Sequence, residues 1–175
     1  MSSRIIVVPI DGSQFSRQMV PHLCQICTPE RDAMVLLRVG EPSGSLIGSP
    51  PRLVSLSWTT PMYDSPRDIE YNAHPIYATQ IEQNERSELE LELEPERQVL
   101  EQAGFNVRVE ARFGDPAEEI VALAEQLHAD MIAMATHGRT GLRQLLMGSV
   151  AEQVLRRVDI PVLMLRSFRT SNRAN

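Results

Sequence analysis

The strongest constraint on this chain is the order of elements near its C-terminal end. A short apolar run at 131–135 opens into a loop that carries Gly138 and Gly141, and Gly148-Ser149 then precedes an amphipathic helix. Glycines allow backbone N–H groups to approach an anion closely, and the first turn of a helix offers unpaired donors at the positive end of its dipole. A strand, a glycine loop and a helix start in this order therefore predict an anion-binding site.

The start of that helix carries a second signal. Ser149 and Glu152 have the spacing of a capping box, in which a serine N-cap and a glutamate three residues later satisfy each other's backbone amides. We therefore expect Ser149 to be the N-cap. The helix leads to a final apolar strand at 161–166, with Pro161 at its first position.

Length and composition favour one domain with one core. The chain has 175 residues, 42% of them hydrophobic, and we assign 1–170 to a single domain and 171–175 to a C-terminal tail. The net charge of −6 argues against a nucleic-acid or acidic-membrane partner. No window approaches roughly 18 apolar residues, and the apolar run after Arg4 is too short for a signal peptide. We therefore expect a cytoplasmic protein with no membrane partner.

The sequence contains no lysine, so all 17 of its Lys-plus-Arg residues are arginines. This excludes a Walker-type lysine on a phosphate, a Schiff base and a lysine general base. Any phosphate contact must come from arginine, from backbone amides or from hydroxyl groups.

The rest of the chain alternates strands with helices. Apolar runs at 4–10 and 32–39 predict buried strands, and the alternating pattern at 105–112 predicts a strand nearer an edge. Ser13 is the expected N-cap of the first helix, and Asp115-Pro116 begins another helix. Strands that alternate with helices predict βαβ units and a parallel sheet.

Residues 41–76 interrupt this alternation with a long proline-rich insertion. It holds the only tryptophan, Trp58, together with Tyr63 and Tyr71. Loops of this length are usually functional or disordered. We expect the aromatic side chains to pack on their own domain, on a partner subunit or on a ligand.

Residues 78–103 alternate Leu and Glu, which resembles a strand pattern. Both residue types are strong helix formers, however, and an exposed row of glutamates suits a sheet poorly. We therefore expect a helix with Leu89, Leu93 and Leu100 facing inward, and Pro95 should kink or split it.

Cys24 and Cys27 form a Cys-x-x-Cys sequence in the first predicted helix. Redox cysteines usually lie at a helix N-terminus, where the dipole lowers their pKa, whereas these lie about three turns further along, on the apolar face. We interpret both as reduced residues of the core. A zinc site would need further ligands besides the nearby His22.

The chain resembles the universal stress protein family, and within it the ATP-binding, UspA-like subgroup, over nearly its whole length apart from the insertion. The family's nucleotide-binding pattern is Gly-x2-Gly-x9-Gly-Ser/Thr. Here Ala135 stands at the first glycine, Gly138 at the second, and Gly148-Ser149 follows after nine further residues. Asp11-Gly12-Ser13 after the first strand and Ile-Pro-Val-Leu at 160–163 also match. The methyl group of Ala135 should weaken nucleotide binding without abolishing it.

The resemblance implies an α/β fold, a single-domain, Rossmann-like, open five-stranded parallel sheet in the order 3-2-1-4-5 with helices on both faces. Strands 1 and 4 are then neighbours whose chains leave in opposite directions, which creates the crevice where such sheets bind ligands. Asp11 ends strand 1 and the glycine loop follows strand 4. The anion site expected from the residues therefore coincides with the site that the family implies.

The resemblance also implies the ligand and the residues that hold it. The expected ligand is ATP, with or without Mg²⁺, and another adenine nucleotide is an alternative. The residues expected around adenine and ribose are Pro9, Ile10, Asp11 and Val39. The residues expected at the ribose and phosphates are Met134, Ala135, His137, Gly138, Arg139, Gly148, Ser149 and Val150. Asp11 is a candidate partner for the ribose or for a metal ion. The sequence indicates no other ligand for such a metal.

Three functions fit this pattern. The leading one is a nucleotide-binding regulatory or stress-response module without catalytic residues, which signals to a protein partner that the sequence does not identify. The second is a slow ATP hydrolase or phosphotransferase, which the shortage of metal-holding carboxylates and the absence of lysine disfavour. The third is a nucleotide-free dimeric interaction protein, which Ala135 favours and the retained Gly138 and Gly148-Ser149 disfavour.

The resemblance finally implies a homodimer built on the last strand, which in the family pairs antiparallel with its twofold copy. The residues expected at this interface are Val162, Leu163, Met164 and Leu165. They form an uncharged apolar run, and such a run exposed at a sheet edge would promote aggregation unless it is covered.

Overall fold

The computed structural model describes residues 3–41, 75–136 and 148–166, and only the backbone of 75–82. Its strands are β1 (Arg4–Pro9), β2 (Asp32–Gly40), β3 (Asn106–Phe113), β4 (Met131–Thr136) and β5 (Val162–Arg166). Every pairing is parallel, and the order is β3-β2-β1-β4-β5. The expected sheet is confirmed, and β3 lies at an edge as its alternating pattern predicts.

The helices of the described residues are α1 (Gln14–Arg17), α2 (Met19–Ile26), α3 (Pro75–Leu91), α4 (Glu94–Gln102), α5 (Pro116–Gln126) and α6 (Ser149–Arg157). One core layer joins α2 and α4 to the sheet, and a second joins α5 and α6 to its other face. Because side chains alternate along a strand, Ile6 and Val8 of β1 enter the first layer and Val7 enters the second. None of the described helices is long and apolar enough to cross a bilayer.

The helix expected after Ser13 is broken into α1 and α2. Ser13 is the N-cap, as expected, since its Oγ accepts a hydrogen bond from the Ser16 amide at 3.0 Å. α1 nevertheless ends at Arg17, and a second helix begins at Met19. The reason is Pro21, which has no amide hydrogen to donate to the Arg17 carbonyl and is tolerated only in the first turn of a helix.

The two cysteines pack into the core layer beneath α2, as expected. Cys24 lies near the end of that helix and is half-buried, while Cys27 is its C-cap and is buried. Burial raises the pKa of both thiols, and the negative charge of Asp32 adds to the rise at Cys27. A reactive thiol needs the opposite shift, so the geometry favours structural cysteines.

Pro95 splits the second predicted helix as expected. α3 ends at Leu91, and α4 has Pro95 in its first turn, where a missing amide is tolerated. Leu93 and Leu100 are fully buried, and Leu89 is half-buried. α3 begins at Pro75, so its first two residues fall within the predicted insertion, and Trp58, Tyr63 and Tyr71 lie outside the described residues.

The sheet opens between β1 and β4. β1 pairs with β2 through all six of its residues, but it pairs with β4 only at Ile6 and Val7, opposite Met131 and Ile132. Beyond Val7 and Ile132 the described residues of these two strands do not pair, so a crevice forms at their carboxyl ends. This is the switch point at which the connections from adjacent strands leave in opposite directions.

Candidate functional site

A cavity of about 260 Å³ lies in this crevice. Its walls come from the carboxyl ends of β1, β2 and β4, from the starts of α5 and α6, and from α1. Small-molecule sites are typically concave, largely apolar and furnished with a few convergent polar groups. Nine of the twelve residues expected to bind nucleotide line this cavity, in two groups on facing walls.

The first group, on the β1–β2 wall, is Pro9, Ile10, Asp11 and Val39. Ile10 is buried, and its amide donates to the Leu37 carbonyl at 2.9 Å, which extends the β1–β2 ladder one residue past β1. The Ser13 amide donates to Asp11 Oδ1 at 2.9 Å, and Gly12 turns the chain between them with φ +80°. The Asp11 carboxylate therefore lies at the rim of the cavity, in a turn whose central backbone conformation favours glycine.

The second group, on the β4–α6 wall, is Met134, Ala135, Gly148, Ser149 and Val150. Ala135 lies inside β4, and among the described residues only His128 combines a side chain with a positive φ. The backbone of Ala135 therefore does not require glycine. What distinguishes Ala135 from the family's glycine is the methyl group alone.

The remaining three expected residues, His137, Gly138 and Arg139, lie outside the described residues. The two ends of their loop are described, and a hydrogen bond joins them. The Gly148 amide donates to Thr136 Oγ1 at 2.9 Å. A Cβ built on Gly148 would lie 3.3 Å from the same oxygen, whereas the φ of Gly148 is an ordinary −56°. Glycine at this position thus serves close approach to Thr136 rather than an unusual backbone conformation.

The start of α6 differs from the expectation. The N-cap is Gly148, which has no side chain to cap the helix, and Ser149 is the first helical residue, so the prediction of a Ser149–Glu152 capping box is wrong. The Glu152 carboxylate instead accepts a hydrogen bond from Arg156 at 2.7 Å. The helix begins one residue earlier than expected because Thr136, from the neighbouring strand, takes the amide of the cap residue.

The first turn of α6 leaves three backbone amides without a helical partner. The first intrahelical bond runs from the Glu152 amide to the Gly148 carbonyl at 2.9 Å, so Ser149, Val150 and Ala151 precede it. All three of these residues line the cavity. α1 and α5 differ from α6 in this respect, because the side chains of their N-cap residues, Ser13 and Asp115, accept hydrogen bonds from first-turn amides. The positive end of the α6 dipole therefore faces the cavity, and its first-turn amides have no partner among the described residues.

Sequence reasoning missed seven residues of the wall, which are Ser16, Leu37, Arg38, Pro116, Ile120, Thr136 and Ala151. Arg38 is the clearest omission, because a lone arginine inside an apolar strand is a signal in itself. Its guanidinium donates to Glu92 Oε2 at 2.8 Å and to the Val39 carbonyl at 3.1 Å. Glu92 lies between α3 and α4, so Arg38 links those helices to the cavity.

The charged groups of the described wall are few. Asp11 is its one carboxylate and Arg38 its one cation. Across the parts of the chain that the structure describes, no three His, Cys, Asp or Glu side chains come together as a metal site would require. The described wall can therefore hold an anion through amides and hydroxyl groups. It contains no cluster of side chains to which we assign a metal.

Residues 60–166 match the profile of the universal stress protein family. The chain is 31% identical over 161 residues to universal stress protein MJ0531 of Methanocaldococcus jannaschii, which covers 92% of this chain and 81% of that protein. A stretch of 67 residues is 43% identical to universal stress protein MJ0577 of the same organism and covers 38% of this chain and 41% of that protein.

Solved structures share the fold. Protein MJ0577 is 25% identical with a TM-score of 0.65, over 97% of this chain and 100% of that one. A universal stress protein in complex with cAMP is 21% identical with a TM-score of 0.58, over 96% and 100% of the two chains. An Arabidopsis thaliana universal stress protein family member with AMP bound is 15% identical with a TM-score of 0.56, over 95% and 93%. At such identities the last two establish likeness of fold alone.

Proposed function

This chain belongs to the universal stress protein family, and from that premise we propose that it binds an adenine nucleotide, ATP above all, as a regulatory or stress-response module. The observation that carries the proposal is the cavity between β1 and β4, which is lined by three first-turn residues of α6 whose amides have no partner among the described residues. Two proteins of the same fold carry cAMP and AMP, which supports an adenine nucleotide as the ligand class.

The two walls suit the two ends of such a ligand. Pro9, Ile10 and Val39 offer an apolar surface for the base, and the rim carboxylate of Asp11 can accept hydrogen bonds from ribose hydroxyls. The first turn of α6 can hold phosphate oxygens through its amides and the Ser149 hydroxyl. We propose that His137, Gly138 and Arg139 complete the phosphate side, with or without Mg²⁺.

We propose binding rather than rapid turnover. Phosphoryl transfer calls for metal-holding carboxylates, a positioned base and cationic stabilisers. The described wall has one carboxylate, Asp11, and its one cation, Arg38, is engaged by Glu92. The chain has no lysine to add to them.

We also propose a cytoplasmic homodimer that signals to a protein partner. β5 pairs with β4 along one side and lies at the edge of the sheet, and Val162, Leu163, Met164 and Leu165 are each partly exposed. Pairing with a second copy would cover this apolar edge. A cytoplasmic setting fits the two free thiols, which stay reduced there.

Ser149→Pro tests the nucleotide proposal. Proline is favoured at the first helical position, and Gly148 at φ −56°, ψ 147° already has the backbone that a residue before proline adopts. The change therefore removes one amide donor without disturbing α6. Because hydrogen bonds to charged groups contribute about 1.5–3 kcal/mol, calorimetry should show ATP affinity falling about tenfold or more.

Ser149→Ala is the matched control, because it removes the hydroxyl and keeps the amide, and we expect it to lose less affinity than Ser149→Pro. Native mass spectrometry of the gently purified wild type should detect bound nucleotide. The proposal fails if calorimetry detects no binding of ATP, AMP or cAMP to the wild type. It also fails if a folded Ser149→Pro binds ATP as tightly as the wild type does.

A further inference from the structure

We propose that Thr136 is a positioning residue for phosphate binding, which holds the first turn of α6 in place by fixing Gly148 against the end of β4. The inference rests on the proposed nucleotide function and deepens it. It assigns a role to a residue at one of the unspecified positions of the glycine pattern.

The contact between Thr136 and Gly148 is close and partly buried. Thr136 is 7% exposed, and its Oγ1 accepts the Gly148 amide at 2.9 Å. A side chain at Gly148 would crowd that oxygen, since its Cβ would lie 3.3 Å away. The threonine hydroxyl and the absent side chain therefore fit each other, and each constrains what can stand at the other position.

This bond replaces the cap that α6 lacks. Gly148, the N-cap residue, has no side chain, so it contributes no side-chain cap to the helix. Ala151 and Val154 anchor the inner face of α6 in the core layer beneath it. Thr136 fixes the remaining feature, the register of the first turn against the carboxyl end of β4.

The bond also decides which amides remain for a phosphate. The Gly148 amide is occupied by Thr136, so it is not a phosphate donor in this arrangement. The first-turn amides that remain belong to Ser149, Val150 and Ala151, which line the cavity. The absence of a side chain at Gly148 thus lets α6 approach β4 closely, and the hydrogen bond to Thr136 determines where the three donors lie.

Substitutions at Thr136 separate this role from simple packing. Thr136→Val keeps the volume but places a methyl group where Oγ1 stood, 2.9 Å from the Gly148 nitrogen. The amide loses its acceptor, and the carbon is too close, so Gly148 must move away from β4. Thr136→Ser retains the acceptor. Thr136→Ala removes the acceptor without adding bulk, and it serves if the valine variant does not fold.

The experiment compares adenosine, AMP and ATP by calorimetry on the wild type and each variant. We expect Thr136→Val and Thr136→Ala to bind AMP and ATP about tenfold or more weakly, with adenosine affinity changed less than about twofold. Thr136→Ser should stay within about threefold of the wild type for all three ligands. Ile132→Val is the control for lost stability, because Ile132 is buried in the same strand but does not line the cavity.

The outcomes distinguish the inference from the function on which it rests. If the wild type binds nucleotides and the Thr136 variants bind AMP as the wild type does, the positioning role is wrong and the nucleotide function stands. If adenosine and AMP weaken equally, Thr136 supports the fold rather than the phosphate side, and the inference is again wrong. If the wild type binds none of the three ligands, the proposed function fails and the inference falls with it.

Discussion

Arg4 and Asp32 form a two-point ion pair at the amino ends of β1 and β2, with Arg4 Nε 2.8 Å from Oδ1 and Nη2 3.0 Å from Oδ2. Asp32 also accepts the Thr28 amide at 2.8 Å and is buried, whereas the Arg4 side chain is about half exposed. Burial alone would raise the pKa of Asp32, but the hydrogen bonds from Arg4 and Thr28 outweigh it. The pKa of Asp32 consequently lies below its ordinary value.

Asp32→Asn should lower the free energy of unfolding by about 1–3 kcal/mol at pH 7, because it weakens charge-assisted hydrogen bonds at a buried site. The Asp32 carboxylate contributes fully to the free energy of unfolding above the pKa that it has in the unfolded chain, near 4. This contribution is lost as the pH falls through the lower pKa of Asp32 in the folded protein. The difference from the wild type in urea denaturation should therefore shrink below about pH 4. Glu30→Gln, on the exposed turn nearby, is the control. An Asp32→Asn difference that is equal at pH 7 and pH 3 would contradict the assignment.

Gly104 and His128 occupy the same position after α4 and α5. The Phe105 amide donates to the Leu100 carbonyl, and the Ala129 amide donates to the Ala124 carbonyl. Each is the longer, 6→1 hydrogen bond of a Schellman motif, in which Gly104 or His128 takes the left-handed position. Their φ values are +93° and +49°, so His128 adopts a conformation that side chains disfavour.

His128→Gly should therefore raise the free energy of unfolding by about 1 kcal/mol, and Gly104→Ala should lower it by about the same amount. A Cβ on Gly104 would meet Pro29 only at an ordinary 3.5 Å, so the second effect is conformational rather than steric. Thermal and urea unfolding of both variants measure the changes. Equal signs for the two variants would refute the argument.

Ala135→Gly should strengthen nucleotide binding by no more than about 1 kcal/mol, the scale of a modest local strain. The alanine backbone is already relaxed in β4, so any gain reports removal of the methyl group from the cavity wall. Calorimetric titration with ATP measures it. Unchanged or weaker binding would show that the methyl group is accommodated.

Met164→Arg should dissociate the proposed dimer, because a twofold interface places the two new charges in or beside the same seam. Light scattering at micromolar concentration checks this, alongside urea unfolding to verify that the variant folds. Leu155→Arg, at an exposed position on α6, is the control and should leave the dimer intact. A monomeric wild type, or a fully dimeric Met164→Arg, would exclude β5 as the interface.

The elements of this fold were predictable where their signals are local. The strands were located to within one residue at each end because apolar runs and turn residues bound them, and Pro95 marked its own break. Pro21 carried a similar signal, which the apolar spacing of the first helix concealed. Ser149 was mispredicted because a contact between distant parts of the chain decides the helix start. The spacing of Ser149 and Glu152 suits a capping box, but the N-cap is Gly148, whose amide donates to Thr136 on β4.

The cavity wall was predictable only in part, for a related reason. Asp11 and Gly148 lie next to strand ends and helix starts, so their neighbourhood follows from the chain itself. Ile120 and Arg38 reach the cavity because α5 packs over the sheet and β2 adjoins β1. Such positions depend on how whole elements pack together, and spacing along the sequence does not record them.

The pairing of β1 with β4, which are far apart along the chain, also has a consequence during synthesis. The Ile5 amide donates to Asp130 Oδ2 across 125 residues, so the central strand leaves the ribosome long before its second neighbour exists. At translation rates of about 5–20 residues per second, that interval is on the order of ten seconds. Throughout it, the nascent chain carries β1, whose inner residues are fully buried in the finished protein, with one edge open. Until β4 is made, that open edge can pair with another chain, so we expect slower synthesis to lengthen the time in which β1 is exposed to aggregation.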